Sequence, residues 1–221
     1  VEKIAAECVH DGGVKYGRGF VHADQVTKIS LNLYESLASL RYFPRSNSDI
    51  FLLRAAGYLH DVGFPPDSGH HIKGFNLLKE NMGNLVPGTL SEADYRIILH
   101  CVLWHRDALW QKENERNETD ANVKLDTQEM LRTARRLAAI LRIGDGLSFP
   151  DGRPTMRVTA FQERDVLVIE ACPSKHGDDL KHQIKKAMTK INLLEEVLKN
   201  DIPSLGINKV AIRKCGHEEC K

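Results

Sequence analysis

Long apolar runs are missing from these 221 residues; none approaches the roughly 18 that a membrane-spanning helix needs. The start shows no secretory-signal pattern. Charge of one sign is not in excess either: 31 Lys and Arg stand against 30 Asp and Glu, a net charge of +1. That balance gives no electrostatic ground for nucleic acid or a charged membrane surface as partner. Cysteine is sparse. The five, Cys8, Cys101, Cys172, Cys215 and Cys220, are odd in number and scattered. A disulfide framework does not fit them, so a reducing, cytoplasmic setting is expected. The tail places Cys215, His217 and Cys220 together, but it lacks the four ligands of a structural zinc site and reads as a polar tail. There is no internal repeat, no low-complexity segment, and no motif specific for a base or a sugar.

What is present is apolar periodicity. Residues 22–40, 48–61, 71–81, 91–106 and 127–147 read as helices. Ser91-Glu92-Ala93-Asp94 is a capping box, and Asp126 or Thr127 can cap the fifth helix. Phe64-Pro65-Pro66 and Val86-Pro87-Gly88 are breakers. The polar stretch 107–126 reads as a surface loop, either over a pocket mouth or a plain connection. The character changes after Phe149-Pro150-Asp151-Gly152. Met156–Phe161 and Val166–Ala171 alternate as a hairpin, 178–200 reads as one amphipathic helix, and Ile207–Arg213 as a strand. The expected fold is mainly α: a helical bundle over 1–150 and a small C-terminal α+β appendage over 151–221. The apolar face of 178–200 has to be buried, either on the helical part, which is preferred, or across a homodimer interface.

The helical stripes carry unusual residues. His22 continues Val26, Ile29, Leu33, Leu37 and Leu40. His60 continues Ile50, Leu53 and Gly57 and is followed by Asp61. His105 continues Tyr95, Ile98 and Val102, and Asp145 continues Leu131, Ala134, Ala138 and Leu141. Buried imidazoles and carboxylates are unfavourable by several kcal/mol unless paired or bound to a metal. Four helices that each place a ligand type at a core position suggest one shared buried site. His100, a lone core histidine, is left out. Imidazole with carboxylate suits Mn, Fe, Co, Mg or Zn. His22, His60, Asp61 and Asp145 would serve one ion, and Asp61 can bridge to a second held by His70 or His71 with His105. Two ions a few ångströms apart suit phosphoryl hydrolysis by a metal-activated water. Asp61 and His105 are then the catalytic candidates, and Arg18, Lys73, Arg106 and Arg142 the candidate substrate-phosphate contacts.

The ordered series His22, His60-Asp61, His105 and Asp145 resembles the HD superfamily of metal-dependent phosphohydrolases. More narrowly, LLRAAGYLHDVGF, SGHHIKGFNLL, VLWHR and RRLAAILRIGDGL resemble the C-terminal HD domain of the exopolyphosphatase and guanosine pentaphosphate phosphohydrolase family. The resemblance covers about residues 15–213. It implies an HD helical bundle and hydrolysis of a phosphate ester, nucleotide or polyphosphate. Two departures stand out. The actin-like phosphatase domains of the long members are not among these residues. Where those members carry GxHxHS, this chain has Gly69-His70-His71-Ile72-Lys73-Gly74. His71 matches that family's first histidine and is preferred; His70 matches the more general HD pattern.

The expected partner is therefore a small phosphorylated substrate. A non-catalytic module that binds a phospho-ligand is the alternative, and di-iron oxygenase chemistry, known among HD relatives, is a third reading. Residues 151–213 offer no cluster of ligand types and are expected to be non-catalytic.

Overall fold

A computed structural model describes residues 19–63, 69–80, 90–106, 123–149, 157–173 and 179–216. Among them are seven α-helices: α1 (Gly19–Ser39), α2 (Asn47–Leu59), α3 (His70–Glu80), α4 (Glu92–Trp104), α5 (Gln128–Leu147), α6 (Lys181–Met188) and α7 (Asn192–Asp201). Strands β1 (Arg157–Glu163) and β2 (Val166–Cys172) precede α6, and β3 (Lys209–Lys214) follows α7. The architecture is the expected helical bundle with a small α+β appendage. Arg18, the breakers at 64–66 and 86–88, residues 107–122 of the polar loop, 150–156 and His217 to Cys220 lie outside the described residues.

Helix starts follow local chemistry. The hydroxyls of Ser46, Ser91 and Thr127 accept from the backbone N–H groups of Asp49, Asp94 and Met130 at 3.2, 3.1 and 3.1 Å. Each thereby satisfies one of the donors left over in a first helical turn. Helix α5 is central, packing against α1, α2, α4, α6 and α7. Its last eight residues from Ile140 are all buried, so both its polar members there, Arg142 and Asp145, are enclosed by other elements.

The sheet has the order β1-β2-β3, with β1 and β2 antiparallel and β2 and β3 parallel. A parallel pair requires a crossover, and α6 and α7 form it. The central strand β2 is buried along nearly its whole length, as expected of a strand covered on both faces. Ser36 of α1 pins β1 to the bundle: its hydroxyl accepts from Ala160 N–H at 2.7 Å and donates to Ala160 O at 3.3 Å. One apolar cluster runs from Val26, Leu33 and Leu137 to Leu167, Leu194 and Ile212. The appendage therefore shares its core with the helices, and the apolar face of α6 and α7 is buried against them.

The single helix expected over 178–200 is broken. Thr189 turns its hydroxyl onto Lys186 O at 2.7 Å, and Lys190 N–H donates to Ala187 O at 2.9 Å. The break is where Arg142 enters from α5, donating to Lys190 O and to Asn192 Oδ1, both at 3.4 Å. Periodicity survives such a turn because the apolar residues on both sides still face one core.

Candidate metal centre

His60 and His105 arise from the same local device. Each is the residue that closes its helix, α2 or α4. Each ring folds back so that Nδ1 meets the carbonyl three residues earlier, Gly57 O at 2.7 Å and Val102 O at 2.6 Å. A carbonyl only accepts, so the ring proton is on Nδ1 in both residues, and a lone pair is left on Nε2. Burial lowers the pKa of both imidazoles and favours this neutral form. His22 is in the first two turns of α1, and Asp145 is in the last turn of α5. Asp61 is in the turn after His60.

These side chains meet. The ligand atoms of His22, His60 and Asp145 lie within 4.8 Å of one another, as do those of Asp61, His70 and His105. Asp61 joins the two triads. Its Oδ2 is 3.5 Å from Nε2 of both His22 and His60, and its Oδ1 is 3.1 Å from His70 Nε2 and 3.7 Å from His105 Nε2. Burial works against ionising Asp61, but the hydrogen bond from His70 Nε2–H favours the carboxylate, and the carboxyl lies below the ordinary range. The Nε2 atoms of His22 and His60 are buried and have no hydrogen-bond partner.

A buried polar cluster is not in itself a ligand site. Asp49, also buried, accepts from Arg136 at 2.7 Å and from the Tyr34 hydroxyl at 3.3 Å, and so fastens three helices. The histidine cluster differs because the Nε2 atoms of His60 and His105, which can accept, are aimed at Asp61, which can only accept. A cation between them resolves that mismatch. Neutral imidazoles, ionised carboxylates and the partnerless Nε2 atoms thus fit a divalent ion.

Position 70, rather than 71, enters the cluster. His71 is equally buried, with its ring 6.0 Å from that of His70 and 6.2 Å from that of His105, but it belongs to neither triad. The geometry thus brings His70, the histidine of the more general HD pattern, to Asp61. His70 opens α3, so its ring faces back toward Asp61. The chain reaches it through a very close passage: a Cβ on Gly63 would meet His70 O and Gly74 N, each at 2.2 Å. His70 also differs in its second nitrogen. Arg106 donates to its Nδ1 at 2.8 Å, which puts the ring proton on Nε2, toward Asp61. His100 is separate, with Nδ1 on Arg96 O at 2.8 Å and its ring against Trp104.

Of the cations expected to meet substrate, Arg106 is exposed at the cluster on His70, and Lys73 is on the exposed side of α3. Arg142 is buried and turned elsewhere. It donates to Trp104 O at 2.8 Å and to the α6–α7 break, so it ties helices together. Arg18 lies outside the described residues.

Two cations at the site were not anticipated. Lys190 forms an ion pair with Asp145 Oδ2, and Lys186 reaches Asp145 Oδ1 at 3.2 Å and Asp145 O at 2.9 Å. Burial opposes ionisation of Asp145, but Lys190, His22 and Lys186 hold its carboxyl well below the ordinary range. The helix α6 can deliver both lysines because it lies directly on α5; a Cβ on Gly146 would come within 2.5 Å of Ala187 Cα. A sequence signal existed. Gln183, Ala187, Lys190 and Leu194 share the buried side of this segment, and a lysine on a buried stripe needs a partner.

Among the described residues no helix is long and apolar enough to cross a membrane. No curated protein matches the chain. The HD domain matches residues 19–145, the stretch that holds every member of both triads, and the chain belongs to this family, whose members are generally metal-dependent phosphohydrolases.

Proposed function

We propose that the protein is a cytoplasmic, metal-dependent phosphohydrolase related to the C-terminal HD domain of exopolyphosphatases. Its substrate is a phosphate ester, a nucleotide or a polyphosphate. The observation that carries the reading is the pair of buried, partnerless Nε2 atoms of His22 and His60 facing Asp61. His22, His60, Asp61 and Asp145 would hold one ion, and Asp61, His70 and His105 a second. When bound, divalent ions supply Lewis acidity toward phosphate oxygens and toward water.

The chain's own groups have assignable tasks. His60 and His105 keep their protons on Nδ1, held by backbone carbonyls, and so present unprotonated Nε2 atoms inward. Asp61, ionised between the triads, accepts a hydrogen bond from the attacking water and orients it toward phosphorus. Arg106, exposed beside His70, offers a planar guanidinium to phosphate oxygens. A second reading, a module that binds a phospho-ligand without turnover, draws support from Lys186 and Lys190, which already neutralise Asp145.

The test is a screen of phosphomonoesters, nucleoside polyphosphates and inorganic polyphosphate with Mn, Mg, Co and Fe(II). Metal-dependent release of phosphate, abolished by chelator and by His60→Ala, is expected. Full metal content with no turnover of any of these would hand the function to the binding module.

A further inference from the structure

The charges at the cluster do not balance. Among the described residues, Asp61 and Asp145 are the carboxylates there, and Lys186, Lys190 and Arg106 are cations in direct contact with cluster residues. The surplus is positive before any divalent ion enters, and each ion adds to it. The two lysines are also unequal. Lys190 is buried against Asp145 Oδ2 and suffices to neutralise that carboxylate. Lys186 is a second ammonium on the same aspartate, and a third of its side chain faces solvent. It reaches the cluster from the appendage, the part expected to be non-catalytic.

We infer that Lys186 is a substrate-phosphate ligand, through which the C-terminal appendage completes the site and favours diphosphate-bearing substrates over monophosphates. The inference rests on the phosphohydrolase reading for the word substrate, but not for the binding it asserts. The ammonium has three donors, of which two are used, on Asp145 O and Oδ1. An incoming phosphate oxygen can take the third, or replace Oδ1, whose charge Lys190 still compensates. A diphosphate brings more negative charge than a single phosphate to a site whose described charges already sum to a positive surplus, and that difference counts for more when divalent ions are bound. Lys185, exposed on the same helix, carries the same charge away from the cluster and is the natural control.

Methylenediphosphonate and methylphosphonate, which resist hydrolysis, are the probes. Their binding to the full chain is titrated by calorimetry, once metal-free and once Mn-loaded with excess ion removed. The parent should bind the diphosphonate at least about tenfold more tightly than the monophosphonate. Lys186→Met should weaken the diphosphonate by about tenfold or more, the size of one charge-assisted hydrogen bond, and leave Mn content unchanged. Lys186→Arg should recover much of the loss, and Lys185→Met should stay within about twofold of the parent. Equal diphosphonate binding by Lys186→Met and parent overturns the inference, as does a parent that binds neither probe in either state. If Lys186 proves necessary for binding while no phosphate compound is turned over, the inference stands and the phosphohydrolase reading falls. Turnover that is indifferent to Lys186→Met has the opposite meaning.

Discussion

Asp61 and Asp145 share one cluster but live in different electrostatic surroundings. Asp61 has imidazoles around it: His22 and His60 on one oxygen, His70 and His105 on the other. Asp145 has His22 on one oxygen and two lysines from a different part of the chain. Neutral imidazoles are cation ligands, so the Asp61 side is poised to attract a divalent ion. The Asp145 side already holds cations and is poised to attract an anion. An ion-plus-phosphate ligand needs both. The contrast follows from origin: helix ends and turns of the bundle supply the imidazoles, and the appendage supplies the ammoniums.

The largest expected effect comes from removing the carboxylate that joins the two triads. Asp61→Ala should abolish metal binding at either triad. Asp145→Ala should spare the ion held by Asp61, His70 and His105. Activity should fall by more than about 100-fold in both, beyond what loss of an outer partner of a metal ligand produces. Elemental analysis after Mn loading separates the two cases. Full metal content in Asp61→Ala would remove Asp61 from its central place and end the comparison.

Two glycine substitutions address each side from the backbone. Gly63→Ala forces a methyl into His70 O and Gly74 N and should displace α3, and with it His70. Gly146→Ala forces one into Ala187 and should displace α6, and with it Lys186 and Lys190. Each should destabilise by about 1–3 kcal/mol, the usual range for overpacking. Their functional signatures should differ: metal stoichiometry falls in Gly63→Ala, and diphosphonate affinity falls in Gly146→Ala. Identical losses in both variants would mean that the cluster acts as one unit.

Much of this was legible in the sequence. A ligand-type residue on an apolar stripe is visible without coordinates, and His22, His60, His105 and Asp145 each interrupt such a stripe. What periodicity cannot see is which of two adjacent histidines turns inward. That depended on where α3 begins and on how closely Gly63 passes it. Nor can it see the bend at residues 189–191, because the residues on both sides still face a single core. Arg142 read as a phosphate contact by its nearness to Asp145 in sequence. Its orientation is set by carbonyls of Trp104 and Lys190, distant in the chain. Lys190 is the residue on this segment whose buried position in the stripe signals a partner, which is Asp145.

Stability should report the same contrast through pH. His60 and His105 have pKa values pushed below the ordinary 6.5 by burial, so the metal-free folded protein resists taking up protons that the unfolded chain accepts. Stability should therefore be full above about pH 7 and decline as pH falls below 6.5, by at most about 1.4 kcal/mol per pH unit for each histidine. The depressed carboxyls act with the same sign lower down: stability declines as pH falls through the ordinary aspartate value of 3.8. Thermal melts of metal-free protein between pH 8 and pH 3 would show both stages. His105→Asn should flatten the upper one and leave the lower. A melting temperature that rises on acidification from pH 7 to 5 would contradict the neutral state of these rings.

The smallest effect belongs to Arg106, and it sharpens the comparison most finely. As an exposed residue it contributes little to the core, so Arg106→Ala should change stability by less than about 0.5 kcal/mol. Its guanidinium nevertheless keeps the His70 proton on Nε2, the wrong nitrogen for a ring that is to serve as a ligand through that atom. Without it, the proton can move to Nδ1, and His70 then matches His60 and His105. The triad of Asp61, His70 and His105 should bind Mn a few-fold more tightly, while the triad of His22, His60 and Asp145 stays unchanged. Arg106→Lys, which offers donors without the planar fork, should fall between the two. Calorimetric titration of Mn into the metal-free variants resolves the two classes of ion, and ¹⁵N spectra of the His70 ring report which nitrogen carries the proton. Weaker Mn binding in Arg106→Ala, with the His70 proton still on Nε2, would show that the ring's tautomer is set by Asp61 alone.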